Sequence, residues 1–170
     1  MNNIRLSKKE EGTIKHFIIG ESMKKERRMV DDEIILVPYY PNYKTAIKWY
    51  QDAEVCKQVD NINEVYSLER LKAMYRYLST RGDCYYIKYK NRLVGDITLH
   101  NGEISIVVCK EYQNKHIGRR CVKNLLYLAK EKGLTNVHAT IYSFNEQSRK
   151  MFMRLGFRQV SEEEYVYDIK

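Results

Sequence analysis

The sequence predicts an α+β fold, in which a mixed sheet, antiparallel except for one parallel strand pair, carries helices packed against it. Three observations carry this prediction. Strand-like and helix-like apolar periodicities follow one another in the order β α α β β β α β α β β. The dipeptide Asn101-Gly102 joins two strand-like runs and is a tight-turn signature of antiparallel neighbours. Between strand-like segments 103–109 and 136–142 lies the helical segment 117–133. It is long enough for the crossover that parallel strands require.

The elements follow in chain order. Residues 1–33 are a charged extension with a small apolar cluster at Ile14, Phe17, Ile18 and Ile19, bracketed by Ser7 and Gly20. They read as an extra surface helix or a flexible arm. Within them, Lys24-Lys25-Glu26-Arg27-Arg28 reads as a solvated linker. Residues 34–170 read as a single domain. Its first strand is Ile34-Ile35-Leu36-Val37, ended by Pro38, which cannot donate to a ladder. Tyr43, Ala46, Ile47 and Tyr50 form one helical face behind Asn42 as N-cap, and Trp49 on the same helix reads as core. After a polar connection through Asp60 and Asn61, Ser67 caps a second helix with Leu68, Leu71, Met74, Tyr75 and Leu78, stopping near Gly82. Residues 84–89 and 92–99 form a hairpin about Lys90-Asn91, and 103–109 pairs antiparallel with 92–99. Asn145 caps a helix with Met151, Phe152 and Leu155 inward, and residues 157–169 supply two last short strands.

Composition narrows the function. No run approaches the roughly 18 apolar residues of a membrane span, and the first nine residues lack a signal-peptide core, so a cytoplasmic protein without membrane contact is expected. The four cysteines and four histidines show neither metal-ligand spacing nor a disulfide framework; no metal is expected. A net charge of +8 favours an anionic ligand. Lysine and arginine are dispersed, so nucleic acid is not the expected partner; a homodimer is compatible with the sequence.

The chemistry concentrates at residues 106–120. A β-branched run feeds a helix whose apolar face is Ile117, Cys121, Val122, Leu125, Leu126 and Ala129. The amides opening that helix lack intrahelical partners and sit at the positive end of its dipole, so the stretch Gln113, Asn114, Lys115, His116, Ile117, Gly118 and Arg119 reads as a phosphate cradle. Lys115, Arg119 and Arg120 add full charges.

Gln113-x-x-His116-x-Gly118 resembles motif A of the GNAT superfamily of N-acetyltransferases, and Asn145-x-x-Ser148-x-x-x-Phe152-x-x-x-Gly156-Phe157 resembles its motif B. The two motifs occur in the family order. The resemblance implies a GNAT-like sheet in which the parallel pair splays, acetyl-CoA held by its pyrophosphate at motif A, and transfer of the acetyl group to a primary amine of a small molecule or protein N-terminus. It implies that Val107 and Val108 offer amides to the thioester and that Asn145, Ser148 and Phe152 lie along the pantetheine. His116 departs from the family glycine, and Phe152 replaces the family's tyrosine acid. Glu103, where the family often keeps a base, is chosen ahead of Asp96, His100 and His138, with Tyr142 as a relocated acid. Tyr39, Tyr40 and Tyr43 would line the acceptor site. Cys109 has no recognisable histidine partner, which favours direct transfer over a thiol intermediate. The alternative is a catalytically idle acyl-CoA sensor.

Overall fold

The computed structural model describes residues 25–170, so the helix expected between Ser7 and Gly20 lies outside the described residues. Among the described residues there are eight strands: β1 Arg28–Met29, β2 Ile34–Pro38, β3 Asp83–Tyr89, β4 Arg92–His100, β5 Glu103–Val108, β6 Asn136–Thr140, β7 Arg158–Gln159 and β8 Glu164–Asp168. They form one sheet ordered β1-β2-β3-β4-β5-β6-β8-β7. Every neighbouring pair is antiparallel except β5 with β6. Both hairpin turns behave as their sequences demand, with Lys90 and Asn91 at φ 45° and 66°, and Asn101 and Gly102 at φ 49° and 76°.

The helices are α1 Tyr43–Ala46, continued by a 3-10 turn Ile47–Gln51, then α2 Ala53–Asp60, α3 Leu68–Arg81, α4 Ile117–Glu131 and α5 Glu146–Arg154. Two cores result. On one face Trp49, Tyr50, Val55, Leu71, Tyr75 and Val107 pack together. On the other, Ile117, Val122 and Leu125 of α4 and Phe152 of α5 meet Ile97 and Ile104. Trp49 is core, as its position on an apolar helical face requires.

Three local expectations are corrected. The sheet starts at Arg28: the segment expected as linker carries β1, whose Arg28 pairs with Leu36. The Arg28 guanidinium donates to Asn124 at 2.8 Å and Glu131 at 2.8 and 3.0 Å. These distant partners on α4 help to hold it against the sheet. Residues 53–60, expected as a polar connection, form α2, because Asp52 accepts from the Glu54 and Val55 amides and Val55 and Cys56 give it a narrow buried face. Asn42 makes no side-chain cap; its amide donates to the Tyr40 hydroxyl instead. The second helix ends at Arg81 with Gly82 behind it in extended backbone, where the sequence places the stop.

The parallel pair positions the site. Its register contains a single partnership, Glu103 with His138, supported by the His138 N–H to the Gly102 carbonyl at 2.9 Å. Beyond that point β5 and β6 part, leaving an opening toward the C-terminal end of β5.

Candidate functional site

Which β5 amides face the opening follows from alternation. Residues of an antiparallel strand direct both N–H and C=O to the same side, and successive residues alternate. His100 pairs with Glu103 across a two-residue turn, and the Cys109 N–H donates to the Val94 carbonyl at 2.8 Å. Odd-numbered residues therefore bond β4. Ile104, Ile106 and Val108 face the gap. Val107, expected from the resemblance to offer its amide there, is opposite Asp96 in the bonded alternation, so Ile106 takes its place beside Val108. The Val108 carbonyl accepts from the Gln113 side chain at 3.0 Å, which fixes the loop against the strand end.

The loop turns into α4 through two left-handed residues, Asn114 at φ 60° and His116 at φ 59°. His116 occupies the N-cap position without a side-chain cap, and the first bond of the helix runs from the Arg120 N–H to the His116 carbonyl at 3.2 Å. The amides of Ile117, Gly118 and Arg119 thus have no intrahelical acceptor. At Gly118 a Cβ would stand 3.2 Å from Met151 Sδ and 3.7 Å from Ile106 Cδ1, so glycine keeps open the space between α4, α5 and β5. Arg120 does not join the cradle: its guanidinium lies 2.9 Å from both Asp31 and Glu33. Lys115 lies 5.3 Å over the Tyr112 ring and does not line the cleft.

The second arm is tied to the first by amide side chains. Asn145 caps α5, its Oδ1 accepting from the Ser148 N–H at 3.2 Å, while its Nδ2 lies 3.5 Å from the Gln58 carbonyl. Gln147 donates to Asn114 at 2.9 Å, and Gln113 lies 3.3 Å from Gln58 Oε1. The resulting cleft has a volume of about 340 Å³ and is lined by Val107, Val108, Gln113, Asn114, His116, Ile117, Gly118, Arg119, Asn145, Ser148 and Phe152. The sequence reading missed Gln58, Val55 and Val59 on its wall, because it missed α2. The signal available was Asp52 as an N-cap ahead of Val55, Cys56 and Val59.

Glu103 and Tyr142 are not in that lining. Glu103 Oε1 accepts from the Thr140 hydroxyl at 3.0 Å, and the same hydroxyl is 3.1 Å from Glu164. Tyr142 stacks on Phe144 with ring centroids 5.7 Å apart. Burial, with the charges of Asp60, Glu163 and Glu103, holds its phenol above the ordinary tyrosine range and so protonated. Phe152 is 3% exposed and meets Phe157 edge-on at 4.9 Å, an apolar wall with no proton to offer. Burial raises the Cys109 thiol, which opposes thiolate chemistry. Tyr39 stacks on Tyr75 at 4.8 Å and its hydroxyl lies 3.2 Å from that of Tyr43, while Tyr40 meets Tyr86 edge-on. These three residues belong to an aromatic cluster on the α1–α3 face. Among the described residues there is no group of three or more His, Cys, Asp or Glu able to hold a metal ion, and no helix long and apolar enough to cross a membrane.

A strand pair joined at one end, an amide-rich helix start beside it and a second helix closing the cleft define the GNAT acetyltransferase fold. The Acetyltransferase (GNAT) family profile matches residues 44–157, and the chain belongs to that family. A domain from Methanocaldococcus jannaschii superposes with a TM-score of 0.70 at 24% identity, over 81% of this chain and 99% of that one. Microcin C7 self immunity acetyltransferase MccE, solved with acetyl-CoA and AMP, superposes with a TM-score of 0.70 at 16% identity, over 88% of this chain and 99% of that one. In sequence, an uncharacterized protein of Methanocaldococcus jannaschii, MJ1062, is 34% identical over 80 residues. That match spans 45% of this chain and 16% of that protein's length.

Proposed function

We propose that the protein transfers an acetyl group from acetyl-CoA to a primary amine by direct attack on the thioester in a ternary complex. The observation that carries this reading is the meeting, in one cleft, of the unpaired edge of β5 with the uncapped first turn of α4. The cradle fits a diphosphate: amides of Ile117, Gly118 and Arg119 supply donors, Arg119 a full charge, and Gly118 the room for close approach. Each charge-assisted bond is worth roughly 1.5 to 3 kcal/mol, so a few account for micromolar affinity. The Ile106 and Val108 amides, facing the gap, would polarise the thioester carbonyl and stabilise the oxyanion as the amine adds.

A second reading, an acyl-CoA-binding module without turnover, draws on Phe152, whose ring cannot protonate the leaving sulfur. A thiolate with a pKa of about 8.5 leaves tolerably without an acid, and transfer remains the favoured reading. Thiol release from acetyl-CoA with a panel of primary amines separates the two. Transfer requires acceptor-dependent release; a binding module gives a CoA isotherm and none. Gly118→Trp fills the cleft between Ile106 and Met151 and should abolish the CoA isotherm while leaving far-ultraviolet circular dichroism unchanged. Retained affinity in that variant would put the diphosphate elsewhere.

A further inference from the structure

Lysine and arginine are dispersed along the sequence, but the fold gathers a set of them on one surface. Arg119, Lys123, Tyr127 and Lys130 are all exposed on α4. They recur at spacings of four, four and three residues, which keeps them on one side of the helix over a length of about 16 Å. Arg154, exposed at the end of α5, lines the same groove as Arg119, Lys123 and Tyr127. Among the described residues, Arg119, Lys123, Lys130 and Arg154 make no ion pair. Carboxylates of the adjoining segments are spent elsewhere: Glu131 on Arg28, Asp31 and Glu33 on Arg120, Glu146 on Lys150. The surface is therefore a concentration of uncompensated positive charge.

Its shape says which polyanion it fits. The groove, about 460 Å³, lies between α4, the end of α5 and β8. Leu126, only 8% exposed, with half-buried Leu155 and Tyr167, makes an apolar floor beneath the cationic rim. Tyr127 is 53% exposed and belongs to neither core, so its ring is free to stack. Cations for phosphates, an aromatic face for a base and an apolar recess beside it are what a single strand of nucleic acid requires. A duplex keeps its bases stacked inside and would leave the ring and recess unused. A bilayer surface would likewise meet the rim alone. Arg119 and Arg154 also line the cleft, whereas Lys123, Tyr127 and Lys130 follow one to three turns beyond Arg119, past the amides that form the diphosphate cradle.

We propose that the outer side of α4 and this groove form a docking surface for single-stranded nucleic acid. Its phosphates lie along Arg119, Lys123, Lys130 and Arg154, and one base stacks on Tyr127 over the groove. The surface goes beyond the acetyl-transfer reading and does not depend on it.

The test is fluorescence anisotropy with a labelled oligoadenylate of about 12 nucleotides, as RNA and as DNA, titrated between about 50 and 200 mM salt with and without saturating CoA. Binding of either strand supports the surface and names its source. Four phosphate contacts predict a slope of log K against log salt near about −3. Lys123→Glu combined with Lys130→Glu should weaken binding at least roughly 10-fold at the lowest salt and halve that slope, with the CoA isotherm unchanged. Tyr127→Ala should weaken binding roughly 10-fold with the slope unchanged, because stacking releases no counterions. No binding at low salt, or binding indifferent to these substitutions, overturns the assignment. So does complete displacement by CoA, or a CoA isotherm weakened by the charge reversals, either of which would give the groove to the coenzyme itself. Anionic phospholipid vesicles bound in place of the oligonucleotide would overturn it in favour of a membrane surface. A protein that binds the oligonucleotide but releases no thiol from acetyl-CoA with any amine keeps this surface and loses the acetyl-transfer reading.

Discussion

His116 holds φ 59° and ψ 12° at the start of α4, a conformation that costs an L-residue roughly 1–2 kcal/mol and glycine almost nothing. The family glycine at this point thus serves the backbone turn, and histidine adopts that turn. Its side chain is exposed at the rim of the cleft. The side chain's chemistry is dispensable on this account and its backbone is not. His116→Gly should leave CoA affinity and the melting temperature nearly unchanged, because relief of strain offsets the greater freedom of the unfolded chain. His116→Val, β-branched and poorly suited to the left-handed region, should lower unfolding free energy by about 1–2 kcal/mol and weaken CoA binding. Thermal melts and calorimetric titration of the two variants check this.

At the scale of elements, β5 has two unlike edges: one zipped to β4 along its length, the other joined to β6 at one residue. The closed edge depends on Gly95. A Cβ there would lie 1.9 Å from the Val107 carbonyl oxygen and 2.9 Å from its carbon, both backbone atoms of the adjoining strand. No rotamer relieves such a clash; the strands must separate. Gly95→Ala should therefore lower unfolding free energy by at least about 3 kcal/mol in urea titrations, and the remaining folded protein should bind CoA more weakly because the register that aims Ile106 and Val108 is disturbed. An unchanged midpoint would mean that β4 and β5 are spaced more widely than described. Helix α2 sets the other wall. Gln58 near its end meets both Gln113 and Asn145, so the two arms of the cleft are held across their mouth by a helix outside either motif.

Across the whole molecule, distance along the chain decides what can be read without coordinates. Both tight turns, the crossover helix and the caps at Ser67 and Asn145 rest on neighbouring residues, and the sequence shows them directly. Features made by remote partners are silent there. Arg28 becomes strand because Asn124 and Glu131 wait on α4, and Arg120 leaves the cradle because Asp31 and Glu33 claim it. The site divides the same way. The loop from Gln113 to Gly118 is visible as a spacing, whereas the choice of Ile106 over Val107 needs a register. Val107 and Val108 look equivalent in a run of β-branched residues, and only the partner strand tells them apart.

The central claim is that free amides at the start of α4 grip a diphosphate and so aim a thioester into the gap between β5 and β6. A crystal structure of the protein with acetyl-CoA measures this directly. The account predicts the diphosphate on the amides of Ile117, Gly118 and Arg119, the thioester carbonyl at the Ile106 or Val108 N–H, and strands still joined only at Glu103 and His138. A diphosphate bound away from that helix start, or β5 and β6 paired along their whole length with the ligand outside them, would contradict it.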